Sequence, residues 1–209
     1  MKTEKSQYES ILIKYLPPEY IDMVVALLLK YPVTFKVVKP RKTKLGDFRA
    51  SVKQEKPQIT INGNLNPYSF LITTLHEFAH LINFNVNGPF VGAHGKEWKK
   101  IYAELILPAI ELKKLPLDIE SALLNSLVNV KASSCSDTNL NRTLIKYDKP
   151  EENQVTLETI DKNGIFVLNG KTFRKGTLRR TRYYCIETKS NKAYLVNGLA
   201  HVKELKDER

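Results

Sequence analysis

The chain has 209 residues, 42% hydrophobic and 26% charged, a balance that belongs to a folded globular protein and excludes extended disorder. Thirty-three Lys and Arg against 22 Asp and Glu leave a formal charge of +11, an excess that points to an anionic partner, nucleic acid being the commonest. Two cysteines, Cys135 and Cys185, are too few and too far apart for a secreted disulfide scaffold.

The polar start, Met1-Lys2-Thr3-Glu4-Lys5-Ser6, is not a signal peptide, and the longest apolar run, residues 23–29, is too short to span a bilayer. The expectation is a cytoplasmic protein, nucleoid-associated in a bacterium, with no membrane partner. Residues 7–15 and 18–30 read as two helices parted by Pro17-Pro18; Ile21, Val24, Val25, Leu28 and Leu29 recur at helical spacing. Three β-type stretches follow at 33–39, 47–53 and 58–62. Asn66 as N-cap and Pro67 at the first helical position open a helix that meets no breaker from 68 to 84. Asn87-Gly88-Pro89 ends it in a loop. Further helices are expected from 95 to 107, where Pro108 stops the pattern, and at 110–115 and 118–128 around Pro116.

After about residue 130 the character changes. Residues 131–138 have a linker's composition, and β-type runs follow at 143–147, 155–160, 165–168, 182–187 and 193–196. Lys162-Asn163-Gly164 and Asn169-Gly170 punctuate them as turns. The expected fold is α+β: a mixed domain over 1–130, a linker over 131–138, and a small all-β module over 139–209.

Chemistry concentrates in His76-Glu77-Phe78-Ala79-His80, mid-way along the best-supported helix. Positions i and i+4 share a helical face, so both imidazoles can reach one metal ion, and Glu77 falls beside them as a general base toward water. A catalytic zinc takes three protein ligands and keeps one position open. The chain has four histidines, and His94, in Gly92-Ala93-His94-Gly95, follows the motif closely enough to supply the third. Two core histidines with polar partners, and a surface histidine at 94, are the plainer readings. The fourth, His201, lies in the β module and is read as unrelated.

These residues, in this order, resemble the SprT-like (Spartan-type) zinc metallopeptidase family. The likeness covers most of residues 20–105: Lys44-Leu45-Gly46-Asp47-Phe48-Arg49, Ile59-Thr60-Ile61-Asn62, Leu65-Asn66-Pro67, the His76–His80 motif, and His94-Gly95-Lys96-Glu97-Trp98. It implies a zincin-like fold with the metal helix under a small sheet, whose edge strand holds an extended substrate. It also implies His76, His80 and His94 as ligands of one catalytic Zn²⁺, Glu77 as acid and base, and cleavage of proteins bound or crosslinked to DNA, a task in DNA repair. Related proteins often end in a zinc ribbon with two Cys-x-x-Cys pairs. Here Thr138 and Thr188 stand where the partners of Cys135 and Cys185 would be, so no second, structural zinc is expected.

Residues 171–192 carry eight basic side chains against the single acid Glu187. Lys171, Arg174, Lys175, Arg179, Arg180 and Arg182, with Tyr183, form the candidate nucleic-acid surface, for single-stranded or partly unpaired DNA. A solvated edge hairpin is the competing reading. Arg41, Lys42 and Lys44 are a second, smaller group. Three functions stay open: a DNA-associated zinc endopeptidase; a metallopeptidase whose basic tail grips acidic protein; and a non-catalytic, zinc-stabilised nucleic-acid-binding or scaffolding module.

Overall fold

The computed structural model describes residues 3–41, 43–50, 56–128, 137–149 and 154–205, and the chain forms a mixed α+β structure in two units, Met1–Asp148 and Lys149–Arg209. In the first unit Thr3 caps α1 (Glu4–Leu12), and a 3-10 turn at Pro18–Tyr20 leads into α2 (Ile21–Lys30). Strands β1 (Thr34–Val38), β2 (Gly46–Arg49) and β3 (Gln58–Asn62) form a sheet in the order β1-β3-β2, with β1 parallel and β2 antiparallel to β3. The period of two sends Ile59 and Ile61 into the core, both with no exposed surface, beside Phe35, Val37 and Phe48. Thr60 and Asn62 face the other way beneath Arg41, which donates to Asn62 Oδ1 and to Thr60 Oγ1, each at 2.9 Å.

The long helix α3 (Pro67–Asn87) starts where the Asn66 cap and Pro67 place it: Ser69 N–H donates to Asn66 Oδ1 at 2.9 Å. It is buried on every face, from Phe70 to Leu81, and is therefore the centre of its unit. The next helix, α4 (Lys96–Glu111), runs straight through Pro108 rather than stopping at 107. Burial of Ile106, Ala109 and Ile110, and the Tyr20 hydroxyl donating to Ala109 O at 3.1 Å, offset the hydrogen bond that proline forfeits. Helix α5 (Leu117–Val128) follows as expected and buries Ile119 and Leu123.

Residues 143–147, expected to be β, are instead helical at 143–145 and turn beyond. Helix α6 (Thr138–Ile145) is capped by Asp137, which accepts from the N–H groups of Asn139 and Leu140. Leu140 and Leu144, one helical turn apart, enter the core of the first unit. Asn66 Nδ2 then donates to Leu144 O at 2.9 Å and to Asp148 Oδ1 at 2.6 Å, tying the end of α6 to the start of α3. The unit boundary consequently falls at 148/149, not within 131–138. Most of that linker, with Cys135, lies outside the described residues.

The second unit is a six-stranded antiparallel sheet in the order β4-β9-β5-β6-β7-β8. Its strands are β4 (Gln154–Thr156), β5 (Ile165–Leu168), β6 (Lys171–Arg179), β7 (Arg182–Glu187), β8 (Ala193–Asn197) and β9 (His201–Leu205). The apolar run 155–160 splits into β4 and a 3-10 turn, Leu157–Thr159, that closes one face. Asn169 and Gly170, at φ 51° and 75°, make the two-residue β5–β6 turn that their sequence predicts. The core on that face is small: Leu157, Ile160, Phe166, Phe173, Cys185, Val196 and Val202.

A cation holds this small core together. Lys175 is only 4% exposed; its ammonium donates to the carbonyls of Glu158 (3.1 Å) and Ile160 and lies 4.1 Å from the centre of the Tyr183 ring. Burial pulls its pKa below the ordinary lysine range. Replacing it by Met keeps the stem and leaves both carbonyls without a donor. We expect Lys175→Met to lower the stability of the second unit by about 2–3 kcal/mol in urea unfolding; an unchanged midpoint would refute this staple.

Candidate metal centre

Helix α3 presents His76 and His80 on one face, with their Nε2 atoms 3.1 Å apart. Beyond the helix, Gly88 adopts φ 78° and the chain turns back, Gly95 N–H donating to Gly92 O at 2.9 Å. This return brings His94 Nε2 to 3.3 Å from His76 Nε2. All three ligand atoms lie within 4.8 Å of one another. A tetrahedral ion with metal–nitrogen bonds of about 2.0–2.1 Å holds its nitrogens about 3.3–3.4 Å apart, so the residues fit one such ion and leave a position open. The electrostatics agree. Burial, with the neighbouring imidazoles, takes His76 down to about 3 and His80 to about 4, and burial lowers His94 too. At neutral pH the three rings are uncharged, with lone pairs available to a cation.

The rings are held by aromatic packing. Trp98, the single tryptophan, is fully buried with its ring centre 4.7 Å from His76, 5.2 Å from His80 and 4.7 Å from His94. Tyr102 stacks on Trp98 at 4.9 Å and also reaches the His76 ring, 5.9 Å between centres. From the sheet, Phe48 lies parallel to His80 at 6.4 Å.

Glu77 is not part of the triad of nitrogens; it follows His76 on α3 and is 5% exposed. The Phe48 backbone N–H donates to its carboxyl group. Gly46 makes that approach feasible: a Cβ there would stand 2.6 Å from Glu77 Oε1 and 2.7 Å from Thr73 Cγ2. Burial, and then the nearby Asp47 carboxylate, raise Glu77 to about 8, against the lowering influence of the Phe48 N–H, Arg41 and Lys44. Asp47 is itself paired with Lys44 at 2.7 Å and Arg49 at 2.8 Å. A buried carboxyl with a pKa near neutrality can both accept and return a proton.

The three histidines expected from sequence therefore come together, Glu77 adjoins His76 on α3, and His201 lies in the other unit, on β9. Three supporting residues were missed in their roles. Gly46 reads as a turn residue in sequence, Phe48 as a strand residue, and Trp98 as one position of a resemblance; only packing shows what they hold. The basic candidates divide. Arg174, Arg179 and Arg182 are exposed, and Arg180 sits at the β6–β7 turn with φ 58°. Lys175 is a buried staple and Tyr183 packs toward the core beneath it, so neither is a surface contact. Lys171 is exposed but paired with Glu187 at 3.1 Å. Arg41 and Lys44 are engaged with Thr60, Asn62 and Asp47, while Lys42 lies outside the described residues. Cys185 is buried, with its thiol pKa raised first by that burial. Among the described residues, no helix is long and apolar enough to cross a membrane. Compared with known proteins, the chain matches no family model, no curated protein and no solved structure.

Two outcomes follow from this geometry. Gly46→Ala drives a methyl into the Glu77 carboxyl and Thr73, so we expect a loss of about 2–3 kcal/mol; equal thermal stability would show that β2 yields freely. In the metal-free protein, Glu77 titrates near 4.5 unfolded and about 8 folded. Its stabilising contribution is complete below pH 4.5 and is lost as pH rises through 8. The stability of metal-free Glu77→Gln minus that of metal-free wild type should therefore grow between pH 5 and 8, by on the order of 3–4 kcal/mol, the histidine contributions cancelling. A difference that is flat with pH, measured by urea unfolding, contradicts this.

Proposed function

We propose that this chain is a zinc-dependent endopeptidase of the SprT-like, zincin-like kind, acting on proteins associated with nucleic acid. One observation carries the reading: three imidazole nitrogens converge, and Glu77, which adjoins His76 on the same helix and is not one of that group, keeps its carboxyl group buried. A structural metal site has no use for such a neighbour, and a hydrolytic one requires it. The chemistry zinc supplies when bound is Lewis acidity, which acidifies water and polarises a carbonyl. Glu77 takes a proton from the attacking water and delivers it to the leaving amine; a pKa near neutrality suits both steps.

The sheet supports a place for the substrate in this reading. Strand β2 is an edge strand, and the Phe48 N–H points away from β3 toward Glu77. An extended polypeptide laid along that edge runs past both Glu77 and the histidines.

Nucleic acid is the proposed partner of the second unit, and a basic face of the sheet supports this reading. Arg174 aligns with Ile186, Tyr184 with Leu195, and Arg179 with Arg182, all on the face opposite the core. Lys203 joins them from β9. The acids Glu187 and Glu204 alternate to the other face, so among the described strand residues this one carries cations, an aromatic ring and aliphatic side chains without a carboxylate. Arg179 covers the Tyr184 ring at 4.8 Å. That combination suits phosphates and unstacked bases of a single strand. The positive φ of Arg180, unfavourable for a long side chain, supports a use for that turn.

The decisive experiment couples metal analysis with proteolysis. The wild type should hold one zinc per chain and cleave an unfolded protein such as casein, with more activity when single-stranded DNA is present. Glu77→Gln should keep the zinc and lose at least about 100-fold in rate. Zinc retained without cleavage under any condition would favour a non-catalytic binding module. For the second unit, replacing Arg174, Arg179 and Arg182 by Ser should reduce the slope of log K against log salt for single-stranded DNA by about 2. An unchanged slope would leave the basic face to acidic proteins or to solvent.

A further inference from the structure

We propose an apolar specificity subsite beside the metal centre, with Phe48 and Phe84 as its floor and Phe90 as its lip, which takes a bulky apolar side chain of the polypeptide held on β2. The inference rests on the peptidase reading and adds to it which substrates the site prefers. Phe48 is aligned with Ile59 across the sheet, so its ring lies on the inner face, toward α3. A strand added to the open edge of β2 alternates its side chains between the two faces. Those on the inner face arrive next to Phe48. Waiting there is Phe84, one helical turn beyond His80, with its ring centre 5.9 Å from that of Phe48. Both rings are only half-buried, and Phe84 does not join the apolar core of the unit. The pair is thus an apolar surface continuous with the His80 ring, on which Phe48 stacks.

The loop from α3 to α4 then rises from this floor. Gly88 N–H donates to Phe84 O at 2.9 Å, and six residues later the same loop delivers His94 to the metal centre. Between them stands Phe90, 100% exposed. With its whole ring in solvent, Phe90 is free to close over an apolar side chain. In sequence it lies between Gly88, whose N–H is bonded to the Phe84 carbonyl, and His94 of the metal centre. A side chain seated on Phe48 and Phe84 would be covered by Phe90, burying all three rings together. The occupant is an aromatic or long aliphatic side chain; an acidic or small one would leave the rings wet.

The test uses the full-length zinc protein carrying Glu77→Gln, so that peptides bind without being consumed. Two fluorescein-labelled decapeptides of equal charge are compared by anisotropy, one with Phe or Leu at alternate positions and one with Ser there. The apolar peptide should bind about tenfold more tightly. Phe90→Ala, a change at a wholly exposed position, should shrink that preference several-fold with zinc content unchanged. Phe84→Asp should turn the preference toward a peptide with Lys at those positions, a reversal that damage to the fold would not produce. Equal binding of the two peptides, no binding of either, or a preference untouched by Phe90→Ala and Phe84→Asp would each overturn the subsite. Cleavage of the apolar peptide by the wild type is scored separately. Preferential binding without cleavage would support the subsite while rejecting the peptidase reading, and cleavage without preference would do the opposite.

Discussion

Everything in the first unit depends on one constraint: α3 is buried on every face, yet it carries two imidazoles and a carboxyl group. In a low-dielectric interior such groups are tolerated only when neutral, paired or bound to an ion. Burial keeps the histidines uncharged and raises Glu77 toward neutrality, so the apo site is arranged around lone pairs and a labile proton. The rest of the unit reads as support for that arrangement. Trp98 and Tyr102 wall the rings from one side, Phe48 from another, and the absence of a side chain at Gly46 lets the sheet come close enough for a backbone N–H to reach Glu77.

The second unit solves a different problem. Its described apolar core is small, seven buried side chains. Lys175 supplies an internal cation. It binds two carbonyls at the 3-10 turn and a tyrosine face, cross-linking segments that are distant in sequence. The same strand pair thereby serves two ends. Inward, Lys175 and Cys185 face each other in the core; outward, Arg174 lies beside Ile186 on the open face.

Much of this was legible in the sequence because it depends on local rules. The Asn66-Pro67 start, the i, i+4 histidines and the Asn169-Gly170 turn each carry their structure in two to five residues. What was misread depends on partners far along the chain. The β-branched Thr143 and Ile145 suggested a strand, but Asp137 caps a helix there and Leu140 and Leu144 find a core built from residues about 70 positions earlier. Pro108 suggested an end, but the core holds both sides of it. Charge counting was the bluntest tool. It assigned Lys175 to the surface because a run of basic residues says nothing about which face of a strand each occupies, whereas the alternation of β6, with its register shift between Lys175 and Leu178, sends that one inward.

The shared use of β2 has a mechanical consequence on the proposed reading. The N–H of Phe48 serves Glu77 in the free protein, and it belongs to the very edge along which a substrate strand would pair. An N–H has one proton to give. A polypeptide seated there either leaves that bond alone, pairing only through its neighbours, or takes it over and releases the carboxyl group. In the first case Glu77 stays anchored and positioned. In the second it loses a donor that favours its charged form, and its affinity for a proton rises as substrate arrives. Gly46 makes either outcome sterically available, since without a side chain at that position neither Glu77 nor the incoming strand meets an obstacle at the edge. The strand that anchors the base on α3 is thus also the rail that would present the substrate to it, and a change in the register of β2 would disturb both together.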